Sequence, residues 1–134
     1  MVNQYLRGTN TASYVIKGNV PAVRRRLVGI PMVRVFISMV TEGELRFGVA
    51  RRAGAAKLAR VIEEFLVRVT IQPWDPDAAR QYGQLRADLE RIGQPMGNLD
   101  MMIGAHAVAA DLVLVSHDRA FARIKNLKME DWSV

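Results

Sequence analysis

The sequence contains no cysteine and only two histidines, His106 and His117, which form no HxxxH pair. These absences exclude disulfide bonds, thiolate catalysis and zinc sites built on thiolates. Any metal site in this protein must therefore be built mainly from carboxylate oxygens. Such oxygens favour hard cations, with magnesium and manganese as the natural choices.

Long apolar runs are also missing. No run approaches the roughly 20 apolar residues that span a bilayer, and the first ten residues lack the apolar centre of a secretory signal. We therefore expect a cytoplasmic protein that does not enter a membrane. With 134 residues, of which 50% are hydrophobic, the chain fits one compact domain over residues 1–134.

Basic residues outnumber acidic residues by 19 to 13, which gives a formal net charge of +6. Arginine dominates the excess, with one run at Arg24–Arg26 and a second at Arg51–Arg52. Guanidinium groups match the geometry of phosphates, so a polyanionic partner is one interpretation. A solvated basic helix face is the other interpretation, and the pattern alone leaves both open.

Apolar periodicity predicts strands that alternate with helices, an order typical of an α/β fold. We predict a single three-layer α/β/α domain whose central, mainly parallel sheet has four or five strands. The expected strands are residues 2–7, 33–38, 70–72, 112–115 and 127–130. The expected helices are residues 11–17, 21–28, 41–52, 55–69, 76–92, 98–109 and 118–124.

One predicted helix, residues 55–69, carries an apolar stripe at helical spacing. The stripe consists of Leu58, Val61, Ile62, Phe65 and Leu66. A stripe of this size must be covered by the sheet, by a second copy of the chain or by a helix of another protein. We favour a second copy for the part that the sheet does not cover.

Three acids lie near strand-to-helix transitions: Glu44, Asp100 and Asp118. Because parallel strands direct such positions to one crevice at their carboxyl ends, we expect the three side chains to converge. Crowded carboxylates repel one another and raise their own pKa values, so a cation would stabilise such a cluster. The spacing therefore predicts a site for magnesium or manganese.

Each acid also has a simpler structural interpretation, which remains open. Thr41 and Glu44 have the spacing of a capping box, Asp100 follows a possible Asn98 cap, and Asp118 can itself cap a helix. His106 lies six residues after Asp100 on the same predicted helix, so we expect it to pack in the core rather than face the acids. The shared topology of the acids is what favours a site.

The motifs together resemble the PIN-domain ribonucleases, and more closely the VapC toxins of bacterial toxin–antitoxin pairs. The resemblance extends over essentially the whole chain. The matching stretches are Gly8–Gly18, Ser38–Gly48, Gly97–Ala109, Val115–Phe121 and Glu130–Trp132.

The resemblance implies that Glu44, Asp100 and Asp118 bind magnesium or manganese and cleave RNA by activating water. We expect Thr9, Asn10 and Ser116 to support the site, since hydroxyl and amide groups beside carboxylates can orient them. The family also implies a cognate antitoxin as partner and a homodimer. The expected enzyme is a metal-dependent endoribonuclease.

The first motif departs from the family pattern. Where the family has an apolar residue followed by Asp, Thr and Asn, this chain has Arg7, Gly8, Thr9 and Asn10. Gly8 thus replaces an expected acid, and Arg7 places a charge where a central strand should be apolar. We expect weakened metal binding and impaired cleavage; the alternative is an inactive PIN-fold module that binds antitoxin, RNA or both.

Overall fold

A computed structural model of the chain describes residues 3–18 and 21–133. Within these residues, five strands form one sheet in the order β3-β2-β1-β4-β5, and every neighbouring pair is parallel. The strands are β1 (Tyr5–Arg7), β2 (Val35–Ser38), β3 (Thr70–Gln72), β4 (Val113–Val115) and β5 (Met129–Glu130). The predicted α/β fold with a parallel sheet is confirmed.

Helices connect the strands. They are α1 (Thr9–Lys17), α2 (Pro21–Val28), α3 (Met39–Ala50), α4 (Ala56–Arg68), α5 (Pro76–Arg91) and α6 (Asn98–Ala109), with 3-10 helices at Met32–Arg34 and Arg119–Arg123. Helix α5 begins as the sequence predicts, because the Asp75 carboxylate accepts a hydrogen bond from the Ala78 amide and Pro76 occupies the first turn.

The central strand β1 separates two halves of the core, because successive side chains of a strand point to opposite faces. Tyr5 packs in a cluster with Val23 of α2 and with Trp132, whose ring it meets edge-on at 5.2 Å between centroids. Leu6 lies in a different cluster, with Ile103 of α6 and Phe121. Helices therefore cover both faces of the sheet.

Several predicted boundaries are wrong by a few residues. Strand β2 begins at Val35 rather than Val33, because Met32–Arg34 forms a 3-10 turn. Helix α1 begins at Thr9, directly after β1, instead of Thr11. Val2, predicted as the start of the first strand, lies outside the described residues.

The apolar stripe of α4 is covered in part by the chain itself. Ile62 and Leu66 are buried in a cluster with Ile37 of β2, and Phe65 packs against the same cluster. The early part of the stripe, Leu58 and Val61, lines a groove on the surface. The sheet is thus the main partner of this helix. Among the described residues, no helix has both the length and the apolar character needed to cross a membrane.

Candidate active site

The carboxyl ends of three strands meet at one edge of the sheet. Gly8 follows β1, Ser38 ends β2 and Ser116 follows β4, and the register of the parallel pairs keeps these positions side by side. The helices that leave this edge carry the acids. Glu44 lies in the second turn of α3, and Asp100 lies in the first turn of α6.

The pKa of Asp100 is affected by the charges of the other two acids. Burial raises this pKa above its usual value, and the negative charges of Asp118 and then Glu44 raise it further. The three acids therefore share one electrostatic environment. Across the described residues, however, no three His, Cys, Asp or Glu side chains form a group placed to hold a metal ion. Their assignment as metal ligands stays a prediction.

Two hydroxyl groups organise Glu44. The Thr9 hydroxyl donates a hydrogen bond to Glu44 Oε1 at 2.6 Å, and Thr9 Oγ1 lies 3.3 Å from Thr41 Oγ1. Since Thr9 has one hydroxyl hydrogen, the buried Thr41 hydroxyl is the donor of the second bond. Thr9 and Thr41 therefore form a relay that links the start of α1 to Glu44 on α3.

Thr41 is not the cap of α3, so the predicted capping box is wrong. Ser38 holds that position, and its Oγ accepts a hydrogen bond from the Val40 amide at 3.0 Å. The helix starts two residues earlier than predicted because the serine at the strand end already satisfies an orphan amide. The Thr41 hydroxyl does not cap the helix and instead contacts the Thr9 hydroxyl.

The predicted cap of α6 is also wrong. Gly97 holds the cap position and makes no side-chain cap bond, whereas Asn98 is already the first residue of the helix. Asp100 therefore stands in the first turn, where the positive end of the helix favours a negative charge. That effect opposes the burial and repulsion that raise its pKa.

Asp118 does cap a helix, as its structural interpretation predicts. Its Oδ1 accepts a hydrogen bond from the Ala120 amide at 2.9 Å at the start of the 3-10 helix. Ser116 Oγ accepts a hydrogen bond from the Asp118 amide at 3.1 Å. The cap fixes the Asp118 carboxylate near Asp100, so capping and a role in the site are compatible.

Gly8 faces the same edge. A Cβ atom built on Gly8 would lie 3.2 Å from the Val115 carbonyl oxygen and 3.9 Å from Ser116 Oγ. That carbonyl accepts hydrogen bonds from the Gly8 amide and from the Thr11 hydroxyl, both at 3.0 Å. An acid at position 8 would thus join the other three, provided that β4 moves by a few tenths of an ångström.

Arg7 points to the other face of the sheet. Its guanidinium is fully buried 5.2 Å above the Phe65 ring of α4, and its nitrogens have no hydrogen-bond partner within the described part of the chain. Burial lowers the pKa of Arg7 to about 10. Arg7 therefore does not neutralise the acids, and the predicted cost of a charge in this central strand is present.

A cleft of about 580 Å³ lies beside Glu44 and Thr9, and Arg51 stands at its margin over the exposed Phe47 ring. Asn10, the third residue expected to support the site, is exposed in the first turn of α1. Of the first arginine run, Arg26 pairs with Glu130 at 2.6 Å.

Sequence reasoning missed two residues that organise this edge: Ser38 and Thr41. Ser38 is the last residue of β2 and Thr41 lies in the first turn of α3, and a serine or threonine just before a helical pattern is a signal for a helix start. The pattern shows that one of them caps the helix. It does not show which one, because that depends on where the strand ends.

A PIN-domain family model matches residues 9–127 of this chain. The tRNA(fMet)-specific endonuclease VapC of Shigella flexneri is 35% identical over 131 residues, which cover 97% of this chain and 98% of that protein. Among solved structures, DNA-bound VapBC from Salmonella typhimurium has a TM-score of 0.90 at 34% identity and covers 98% of this chain and 99% of that one.

VapBC2 from Rickettsia felis, bound to a DNA fragment from its promoter, has a TM-score of 0.87 at 30% identity, with 96% of this chain and 98% of that one covered. The matches include the acid-bearing segments and extend over nearly the full length of both partners. The chain therefore belongs to the PIN-domain family, and within that family to the VapC ribonucleases.

Proposed function

We propose that the protein is the toxin component of a toxin–antitoxin pair, an endoribonuclease that hydrolyses RNA phosphodiesters and whose activity is impaired by Gly8. The observation that carries the proposal is the electrostatic coupling of Asp100 to Asp118 and Glu44 at the carboxyl edge of the sheet. Perturbed carboxylates gathered at such an edge are typical of a functional site.

The acids fit magnesium or manganese by their chemistry, since all three provide hard oxygen donors. Glu44, Asp100 and Asp118 would hold the cation, whose positive charge would relieve the repulsion that contributes to the raised pKa of Asp100. The chemistry that such a cation supplies when bound is activation of water and neutralisation of phosphate charge. With glycine in the first position, the set is one acid short of the family pattern.

The chain's own residues have separate tasks in this proposal. Thr9 holds Glu44 in one orientation through its 2.6 Å hydrogen bond, and Ser116 fixes the backbone of Asp118. Arg51, beside the cleft, is placed to attract the RNA backbone without selecting sequence. The excess of basic residues strengthens that attraction over the whole surface.

Two protein partners belong to the proposal. The solved relatives are VapBC complexes, which supports a cognate antitoxin for this chain. A second copy of the chain is the other partner. Large apolar side chains remain exposed on α3 and at the start of α6, at Met39, Phe47 and Leu99, and we assign this surface to the homodimer.

The catalytic proposal is tested by restoring the missing acid. We expect Gly8→Asp to raise RNA cleavage at saturating magnesium or manganese by at least about tenfold, equivalent to about 1.4 kcal/mol of transition-state stabilisation. Gly8→Asn is the matched control, because it adds nearly the same volume without the charge. Addition of a chelator should abolish the activity of the Gly8→Asp protein.

Further substitutions distinguish the effect of the acid site on RNA cleavage from effects elsewhere in the molecule. In the Gly8→Asp protein, Asp100→Asn should remove the gain, whereas Asp77→Asn, at an exposed ion pair with Arg80 on α5, should leave it intact. If Gly8→Asp and Gly8→Asn cleave RNA no faster than the unchanged chain, the first-strand acid does not limit the activity. Antitoxin or RNA binding without any cleavage in the Gly8→Asp protein would favour the inactive module.

A further inference from the structure

His106 forms a chain of buried hydrogen bonds that involves none of the three acids. Sequence analysis predicted only that this residue packs in the core. Its Nε2 lies 3.1 Å from the Pro73 carbonyl oxygen, directly after β3. Its Nδ1 lies 2.8 Å from Ser38 Oγ at the end of β2. The ring itself is 1% exposed. One side chain of α6 is thus bound to two different strand ends.

The partners determine which nitrogen carries the hydrogen. A carbonyl oxygen only accepts, so Nε2–H donates to Pro73 and Nδ1 accepts from the Ser38 hydroxyl. Ser38 Oγ in turn accepts from the Val40 amide in the first turn of α3. Each group in the chain is satisfied in a single arrangement, which makes the connection directional and rigid.

The two ends of this connection lie on the helices that carry two of the acids. His106 is six residues after Asp100 on α6, and Ser38 is the cap of α3, six residues before Glu44. Trp74 closes the outer side of the imidazole, with its ring edge-on at 5.5 Å between centroids. The hydrogen-bond chain is therefore enclosed by protein and protected from competition by water.

We propose that His106 is a positioning residue that fixes the spacing between Asp100 and Glu44 by bonding α6 to the capping serine of α3. The proposal rests on the proposed function, because its consequence is the geometry of the acid site. His106 touches neither acid, so it acts only through the Ser38 hydroxyl and the two helices. Loss of the Nδ1 contact should loosen the start of α3 before it loosens the rest of the fold.

Two substitutions each retain one of the two hydrogen-bonding groups of the imidazole and remove the other. His106→Asn retains an acceptor near the position of Nδ1, whereas His106→Gln retains a donor near the position of Nε2. The positioning role predicts that His106→Asn behaves like the unchanged chain at the acid site and that His106→Gln does not. Leu89→Ala, a buried apolar change on α5, is the control for a general loss of packing.

The first measurement is amide hydrogen exchange of the full chain in a chelator, which needs neither metal nor RNA. We expect His106→Gln to increase exchange selectively in the first two turns of α3, with little change for His106→Asn. Leu89→Ala should instead increase exchange mainly in α5 and α6. Equal loosening of all helices in His106→Gln would overturn the proposal and leave His106 a core residue only.

The second measurement is the affinity for Mn²⁺ in the Gly8→Asp protein, followed by electron paramagnetic resonance. Outer partners of metal ligands commonly change metal affinity by roughly ten- to a hundredfold, and we expect a loss in this range for His106→Gln. Ser38→Ala also removes the cap bond from the Val40 amide, so it should cause some further loss in the His106→Gln protein, but a smaller loss than it causes alone, because both changes break the link between His106 and Ser38. Additive losses would contradict the proposed route through Ser38.

The two proposals can fail separately. If Gly8→Asp binds Mn²⁺ but cleaves no RNA, the proposed function fails, while the affinity of His106→Gln still tests the positioning role. If Gly8→Asp cleaves RNA and His106→Gln leaves Mn²⁺ affinity and the hydrogen exchange of α3 unchanged, the positioning role fails and the function stands.

Discussion

Two basic side chains are almost completely buried, and they differ in whether hydrogen-bond partners surround them. His106 is 1% exposed and both ring nitrogens have hydrogen-bond partners. Arg7 is 0% exposed, and none of its side-chain nitrogens has a partner among the described residues. The first is a neutral ring in a complete network, and the second is a cation whose guanidinium lies over the face of Phe65.

The difference follows from what the fold places around each side chain. Two strand ends distant in the chain provide the partners of His106, the Ser38 hydroxyl and the Pro73 carbonyl. The neighbours of Arg7 are apolar: Ile37 on the neighbouring strand and Phe65 on α4. Among the described residues the fold therefore offers Arg7 no hydrogen-bond acceptor.

The largest expected effect concerns Arg7. Burial lowers its pKa to about 10, well below the usual value of an arginine, so burial of the charged form costs about 3 kcal/mol. We expect Arg7→Leu to increase the free energy of unfolding by about that amount at pH 7, measured by urea denaturation. Arg60→Leu, at an exposed position of α4, should change it by less than about 0.5 kcal/mol.

The sign of the pH dependence provides a second check on Arg7. Because the folded-state pKa is lower than the unfolded one, the cost is fully present below about pH 10 and decreases as pH rises above that value towards the unfolded pKa. The advantage of Arg7→Leu should shrink over that range. Since the guanidinium lies on the face opposite Gly8, Arg7→Leu alone should not restore RNA cleavage; a large gain would contradict this separation.

A smaller effect is expected from His106. Burial lowers its pKa, and this outweighs the Pro73 carbonyl and the charge of Asp75, which both raise it. The neutral ring is therefore favoured in the folded state. Stability should be complete above about pH 6.5 and fall as pH drops from 6.5 towards the lowered pKa, because over that range the unfolded state binds a proton that the folded state does not. His106→Gln should have a lower free energy of unfolding overall, but that free energy should not decrease between pH 7 and pH 5. Urea denaturation at a series of pH values would measure it.

The smallest effect concerns Asp100. Its pKa is raised by burial and by Asp118 and Glu44, so the ionised carboxylate destabilises the folded, metal-free protein. We expect Asp100→Asn to raise stability at pH 7 by less than about 1 kcal/mol, a value reduced by the partial exposure of the group. Thermal denaturation in a chelator would measure it.

The gain from Asp100→Asn should disappear as pH falls towards 3.8, since the cost of a raised carboxyl pKa exists only when the group is ionised. Asp77→Asn, which removes an exposed ion pair of α5, should give no such gain. A stability loss for Asp100→Asn at pH 7 would mean that the attraction of this carboxylate to the positive end of α6 outweighs repulsion from the other acids.

Much of the fold could be predicted because its signals are local. The alternation of apolar runs and amphipathic stretches predicted a parallel α/β sheet, and Asp75 with Pro76 correctly marked the start of α5. Predictions were wrong where two local signals competed. Residues 33–34 read as strand but form a 3-10 turn, and Thr41 resembled a cap although Ser38 takes that role.

The candidate site was predictable at a coarser level. Glu44 and Asp118 lie close enough to Asp100 for their charges to raise its pKa, as the expected convergence requires, but their role as metal ligands stays a prediction. The sequence analysis named Thr9 as a supporting residue, but its bond to Glu44, 35 residues away, has no local signal. The link between His106 and Ser38 spans 68 residues and has no local signal.

The sequence by itself determined the order of strands and helices, the chemistry of the acids and the presence of glycine at position 8, because these depend on residue identity and short-range periodicity. Only the tertiary structure decided which buried polar groups are satisfied. Hydrogen bonds of this kind join residues distant in the chain, and their partners are known only once the sheet has brought the strand ends together. For that reason His106 has two partners here and Arg7 has none among the described residues.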